Sequence, residues 1–180
     1  TTYTYNSRGQ VLTVTNALSQ VTTFNYDANG YLTSVDGPLA GSADSTSFTY
    51  DSAGRIRTTT NSDGYIRTYS YDSFDRVTQI DYPDGTNERI AYDKLDRASF
   101  TDRLNRVTAY THNAIQQLTS VTDPLNRMVK MDWCRCGSLS ALTDPKGNIT
   151  RWQRDLEGRV VAKIYADGSK VAYDYDNATG

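Results

Sequence analysis

Few side chains in this 180-residue chain have the types and spacing that chemistry needs. Its two cysteines, Cys134 and Cys136, fall in a stretch that reads as a turn. Two thiols cannot close a four-ligand zinc site, and His112 is the one histidine that could join them. A bridge between residues two apart is strained, because good disulfides need favourable Cβ geometry. Ordinary free thiols, or a redox-labile pair in an extracellular setting, are therefore expected. A hydrolytic triad would have to take His112 as its base. Carboxylates are plentiful, but no two stand out as a glycosidase pair. Asp174-Tyr-Asp176 and Asp81-Tyr-Pro-Asp84 lack the spacing and glycine of a calcium loop. The sequons Asn148-Ile-Thr150 and Asn177-Ala-Thr179 matter only in a eukaryotic secretory host. No catalytic, cofactor or metal residue is assigned, and no enzyme is expected.

What must position all of these residues is a repeat. An aromatic pair, Asp, two variable residues, Gly, often Arg, an aliphatic residue and often Thr return along the whole chain. With the second aromatic as anchor, the copies fall at Tyr5, Tyr26, Tyr50, Tyr71, Tyr92, His112, Trp133, Arg154 and Tyr175. Successive spacings are 21, 24, 21, 21, 20, 21, 21 and 21 residues. A fixed period of this size implies one stacking unit copied many times. His112 then reads as a substitute in an aromatic column before it reads as a base.

Each unit resolves into two strands and two turns. The first turn is Asp-x-x-Gly, at Asp27 to Gly30, Asp51 to Gly54 and Asp155 to Gly158, with Asn6 to Gly9 a variant. Asp72 opens another copy, and Gly137 closes the copy in which Cys134 replaces Asp. Asp at the first corner can accept backbone N–H groups, and the fourth position can take positive φ, as in a type I turn with a left-handed exit. Asp75 and Asp96 stand where Gly is expected, and Gln116 fits least well. The second turn comes half a period later, most clearly in Asp144-Pro-Lys-Gly147 and Asp123-Pro-Leu-Asn126. Turns about ten residues apart leave strands near the usual length and no room for an ordinary helix.

Within the strands, Tyr3/Tyr5, Phe24/Tyr26, Phe48/Tyr50, Tyr69/Tyr71 and Tyr173/Tyr175 sit two apart and share one sheet face. The residue between each pair is polar. After the first turn, Leu32/Val35, Val77/Ile80 and Leu139/Leu142 are three apart, so a bulge is expected in each copy. The 24-residue copy carries its surplus in Gly37 to Thr46, which reads as an enlarged loop. Tyr columns of this kind are either core or inner lining, which the reading favours, or an exposed platform for stacking sugar rings.

Composition agrees with a thin, wet sheet. Hydrophobic residues are 37 %, mean hydropathy is −0.63 and 14 residues are Tyr. Charges of both signs are scattered to a net −2, so no basic block invites nucleic acid. No apolar run approaches the roughly 18 residues needed to span a bilayer.

The recurring Tyr-Asp-x-x-Gly-Arg phrase, outright in Asp51-Ser-Ala-Gly-Arg55 and Asp155-Leu-Glu-Gly-Arg159, resembles the YD repeat of Rhs proteins, Tc toxin complexes and teneurins. Trp133-Cys-Arg-Cys-Gly137 and the Leu-Thr-Asp-Pro-x-Gly run at 142 to 147 also resemble bacterial Rhs repeats. The resemblance implies an all-β fold of tandem hairpins in an antiparallel sheet that spirals into part of a hollow shell. It implies a structural wall segment of an Rhs-type toxin that encloses and insulates a C-terminal effector. The alternative is a cell-surface adhesion or carbohydrate-binding array. Residues 1–180 are expected to be a single array, about eight full repeats and a truncated ninth, cut from a longer bacterial protein that is secreted or on the cell surface. Partners would be flanking repeats, effector cargo, other copies through bare sheet edges, and glycans. The expected structural anchors are Tyr5, Tyr26, Tyr50, Tyr71, Tyr92, Trp133 and Tyr175, with Asp27, Gly30, Asp51, Gly54, Asp72, Gly137, Asp155 and Gly158 at the turns.

Overall fold

The computed structural model describes residues 1–175, so the Asn177 sequon and Asp176 lie outside the described residues. Two compact units divide the chain, Thr1–Arg89 and Ile90–Gly180. The first holds β1 (Thr2–Tyr5), β2 (Val11–Thr15), β3 (Val21–Tyr26), β4 (Leu32–Asp36), β5 (Thr46–Tyr50), β6 (Ile56–Thr60), β7 (Ile66–Tyr71) and β8 (Val77–Asp81). Strand β9 (Asn87–Asp93) runs through the boundary. The second unit continues with β10 (Asp96–Thr101), β11 (Val107–His112), β12 (Leu118–Thr122), β13 (Met128–Trp133), β14 (Leu139–Thr143), β15 (Ile149–Arg154), β16 (Val160–Ile164) and β17 (Lys170–Ala172). No helix occurs among the described residues. Within each unit, strands adjacent in the chain pair antiparallel, as short connections require.

The expected bulge is present and now has an address. In the β3–β4 hairpin Asn25 faces Ser34 but Tyr26 faces Leu32, leaving Thr33 as the extra residue. The same slip follows Thr4, Thr49 and Ser70 in the first unit. In the second it follows Thr111, Asp132 and Gln153. Each bulge sits beside the anchor, so the two-residue period before it and the three-residue spacing after it belong to one ladder.

Turn geometry follows the residue types. In the Asp51 turn, the Asp51 N–H donates to the Arg55 carbonyl (2.9 Å) and the Gly54 N–H to the Asp51 carbonyl (3.0 Å). The fourth residue is left-handed: Gly54 at φ 80°, Asp75 at 61° and even Gln116 at 65°. Asp96 departs from expectation. That repeat is one residue short, so Lys94-Leu95 alone connects β9 to β10, and Lys94 takes the left-handed position at φ 53°. The 20-residue spacing from Tyr92 to His112 is the sequence trace of that contraction.

The interior is thin. Among the described residues the buried ones are Ala141, Ala162 and Ser120, each in the middle of the strand after a first turn. They face the polar residue between the two aromatics, as Ser120 faces Thr111 and Ala141 faces Asp132. Hydroxyl pairs line that face, with Thr4 to Thr13 and Thr49 to Thr58 both at 2.6 Å. The other face carries the aromatic columns, whose rings are mostly half-buried.

Candidate functional site

Three features of each repeat converge beside the bulge: the anchor ring, the turn carboxylate and the residue one position past the left-handed corner. A bulge leaves a ladder carbonyl without its strand partner, and the next repeat's anchor supplies a donor. The Tyr26 hydroxyl donates to the Val11 carbonyl (3.0 Å), Tyr50 to Leu32 (2.8 Å) and Tyr71 to Ile56 (2.7 Å). In the second unit Trp133 Nε1 donates to Leu118 (2.8 Å), Arg154 Nη2 to Leu139 (3.4 Å) and Tyr175 to Val160 (2.8 Å). Each acceptor is the residue opposite the preceding anchor at its bulge.

Trp133 and Arg154 therefore interrupt the Tyr column without interrupting the bond, because phenol, indole and guanidinium are all donors. Arg154 fits less well: its Nε is buried without a partner. His112 makes no such bond among the described residues. It follows the contracted turn, and an open cleft of about 400 Å³ lies between Asp93–Asp96 and His112–Gln116. Tyr5 lies at β1, 57 % exposed, with its ring against Tyr3 at 6.4 Å. Tyr92 is half-buried on β9.

Burial is the first cause that raises the ionisation of Tyr50 and Tyr71 above the ordinary phenol value, followed by the charges of Asp27 and Asp51 respectively. Both hydroxyls accordingly keep the proton that the bond uses. Rings of one column do not stack on each other, since successive anchors stand two strands, about 9.6 Å, apart. Their faces are covered otherwise: Tyr31 stacks on Tyr50 at 4.8 Å, and Arg55 and Arg159 lie over Tyr71 and Tyr175 at 4.7 and 4.8 Å.

The turn Asp is a bracket. Asp51 Oδ1 accepts the N–H groups of Ala53 (2.9 Å) and Arg55 (3.0 Å), and Oδ2 accepts Arg55 Nε (2.8 Å). Asp72 and Arg76, Asp102 and Arg106, Asp123 and Arg127, and Asp155 and Arg159 repeat the arrangement. Asn6 and Gln10 are a neutral version, and Asp27 accepts the Tyr31 N–H at 2.8 Å. Asp51 is held below the ordinary carboxylate value, chiefly by the Arg55 N–H. For Asp72 and Asp155, burial pushes upward but the arginine side chain and backbone outweigh it. Gly30, Gly137 and Gly158 take positive φ at 94°, 82° and 83°. Gly54 has a second constraint, because a Cβ there would run into the Tyr31 hydroxyl.

Arginine has a role that its place in the repeat does not by itself disclose. Arg55 holds Asp51, covers Tyr71 and donates through Nη1 to the Asp72 carbonyl (3.1 Å) and to Asp75 Oδ1 (2.8 Å) in the following turn. Gln10 reaches the Gly30 carbonyl (2.8 Å) and Gln117 the Gly137 carbonyl (3.1 Å) in the same way. The signal was the fixed Asp-to-Arg spacing of four residues.

Of the two expectations for Cys134 and Cys136, that of free thiols is overturned. The two residues form a disulfide, and neither is a free thiol. The tight turn brings their Cα atoms to 5.1 Å, within the range a bridge accepts. No group of three or more His, Cys, Asp or Glu side chains suited to a metal occurs among the described residues. No helix among them is long and apolar enough to cross a membrane.

Bulged hairpins locked one to the next by a side-chain donor define a tandem β-hairpin repeat protein. The Teneurin YD-shell family matches residues 39–180 and the RHS Repeat matches residues 1–42. The chain belongs to the YD-shell family, with RHS-type repeats at its start. No match emerged among curated proteins. Among solved structures, the crystal structure of TcdB2-TccC3-TEV is similar over 94 % of this chain and 12 % of its own, at 16 % identity and a TM-score of 0.57. A Photorhabdus luminescens Tc holotoxin pore covers 95 % of this chain and 14 % of its own, at 17 % identity and a TM-score of 0.48. The first of these shows the fold, and the chain spans about an eighth of that relative's length.

Proposed function

We propose that residues 1–180 form one continuous repeat array, a wall segment of a larger toxin-type shell that encloses and insulates an effector. The observation that carries this reading is the anchor-to-bulge bond, which links one hairpin to the next without requiring any reactive residue. The anchors are Tyr5, Tyr26, Tyr50, Tyr71, Tyr92, Trp133 and Tyr175, and the turn Asp and Gly residues brace them. Family membership and the toxin-complex fold support the same reading. Flanking repeats of the same protein would pair with β1 and β17, whose residues are exposed along their length, and the cargo would be the effector. A secreted or cell-surface bacterial location follows from that role.

Limited proteolysis of the full-length protein tests it. Sequence beyond the repeats should resist cleavage in the native state and become sensitive once mild denaturant opens the array. If that sequence is cut at once in the native protein, enclosure fails. Specific glycan binding, lost in Tyr71→Ala at unchanged stability, would favour the adhesion reading instead.

A further inference from the structure

The Cys134–Cys136 bridge occupies a slot that other turns fill with a carboxylate or carboxamide oxygen. In the turns that open on Asp51, Asn113 and Asp155, the first residue's side-chain oxygen accepts the N–H four residues on, at 3.0, 3.0 and 2.9 Å. In the Cys134 turn, the acceptor is Cys134 Sγ, to which the Ser138 N–H donates at 3.4 Å. The backbone is otherwise the same: the Cys134 N–H donates to the Ser138 carbonyl (2.9 Å), and Gly137 is left-handed. Cys134 is half-buried, whereas Cys136 is exposed at the turn tip.

We propose that this turn is a thiol–disulfide exchange site for a dithiol reductant, with Cys136 the sulfur attacked and Cys134 the leaving thiolate. One thiolate of the reductant attacks Cys136 Sγ, the bridge breaks, and its electron pair leaves on Cys134. The reductant's second thiolate then attacks its own sulfur in the mixed disulfide, closing the oxidised reductant and releasing Cys136 as a thiolate that takes up a proton. Two electrons pass to the protein, and both thiols are free. Exposure directs the attack, since rate depends on which sulfur is accessible and which thiolate leaves more easily. The Ser138 N–H stabilises the departing charge, as the Arg55 N–H does most for the Asp51 carboxylate. Thiolates facing such donors ionise below the ordinary thiol range.

The experiment uses the intact protein and glutathione, a monothiol with no second thiolate of its own to resolve the mixed disulfide, sampled before a second molecule attacks it. After acid quench, peptide mapping should place the glutathione adduct on Cys136 over Cys134 by about tenfold or more. In Cys136→Ser, the rate at which iodoacetamide alkylates Cys134 should rise with pH about a midpoint below about 8.5, the free-thiol value. The double variant Cys134→Asp, Cys136→Ser copies the sibling turns and should unfold at one temperature with or without dithiothreitol. Equal labelling of the two sulfurs, preference for Cys134, an ordinary alkylation midpoint, or two free thiols in the air-oxidised protein would each overturn the proposal.

Discussion

The two ends of each hairpin are built from the same turn and held in different ways. At the first-turn end, side chains cross to the following turn: Arg8 to Ala28, Gln10 to Gly30, Arg55 to Asp75 and Gln117 to Gly137. At the second-turn end, Arg106 and Arg127 bind their own Asp102 and Asp123. Their side chains are 61 % and 62 % exposed, against 28 % for Arg55 and 23 % for Arg76. Open clefts of about 510, 440 and 470 Å³ lie between successive second turns of the second unit. The local bracket is common to both ends, so the bracket makes a turn. The anchor, the bulge and the reaching Arg or Gln lie at the first-turn end, while at the second-turn end Tyr65 and Tyr82 bring rings of successive turns to 6.2 Å.

Four measurements would break or sharpen that contrast. The largest effect is expected for Tyr71→Ala, which removes a half-buried ring, its bond to Ile56 and its contact with Arg55. A loss of about 2–3 kcal/mol by urea denaturation is expected, below the range for fully buried aromatics because the ring is partly exposed. Tyr71→Phe isolates the bond and should cost about 1 kcal/mol. If the two variants lose equally, the hydroxyl matters and the ring does not.

Acid comes next. Asp51, Asp72, Asp102, Asp123 and Asp155 have folded values below the unfolded one. Their stabilisation is therefore fully present above the unfolded carboxylate value, about 4, and is lost as pH falls through the lower folded values. The urea midpoint should drop steadily below that pH, and Asp51→Asn should flatten the slope. An unchanged midpoint down to the lowest folded value would mean that the brackets contribute nothing.

The repair of the short repeat is a smaller test. His112→Tyr alone should leave stability almost unchanged. With one Gly inserted after Leu95 to restore the five-residue turn, it should gain about 1 kcal/mol beyond the sum of the separate changes. Strict additivity would mean that the missing residue is not what silences this anchor.

The smallest difference compares the arginines directly. Arg55→Ala should lower the thermal midpoint measurably, whereas Arg106→Ala, at an exposed pair, should scarcely move it. Equal shifts would erase the distinction between the two ends.

Much of this was legible in the sequence, and what was not has a physical reason. Turn type, strand count and the existence of the bulge followed from Asp and Gly at fixed offsets and from the change in apolar spacing. The partner of each anchor did not, because Tyr71 and Ile56 lie 15 residues apart and meet only through the register that the bulge sets. At Asp96 a column of aligned residues hides a one-residue deletion, which only the spacing of 20 records. The Cys134–Cys136 bridge is not legible from sequence, because the general demand for favourable Cβ geometry argues against residues two apart and their placement on a turn does not give the Cα separation. This turn curls the chain back and closes the distance.

The loop between Asp36 and Thr46 has a use beyond its own repeat. Tyr50 binds the Leu32 carbonyl at 2.8 Å although 18 residues separate them, where the other anchors span 15. The extra residues bulge out past both points of attachment, and the latch closes as before. Doubling such a loop costs only about 0.6 kcal/mol in closure entropy. Foreign peptides grafted between Gly37 and Ser45 should therefore be displayed with the lattice on either side intact, whereas a single residue gained or lost at a first turn shifts the register on which a latch depends. Drift in length has a permitted side in this architecture, and it is the side away from the latches.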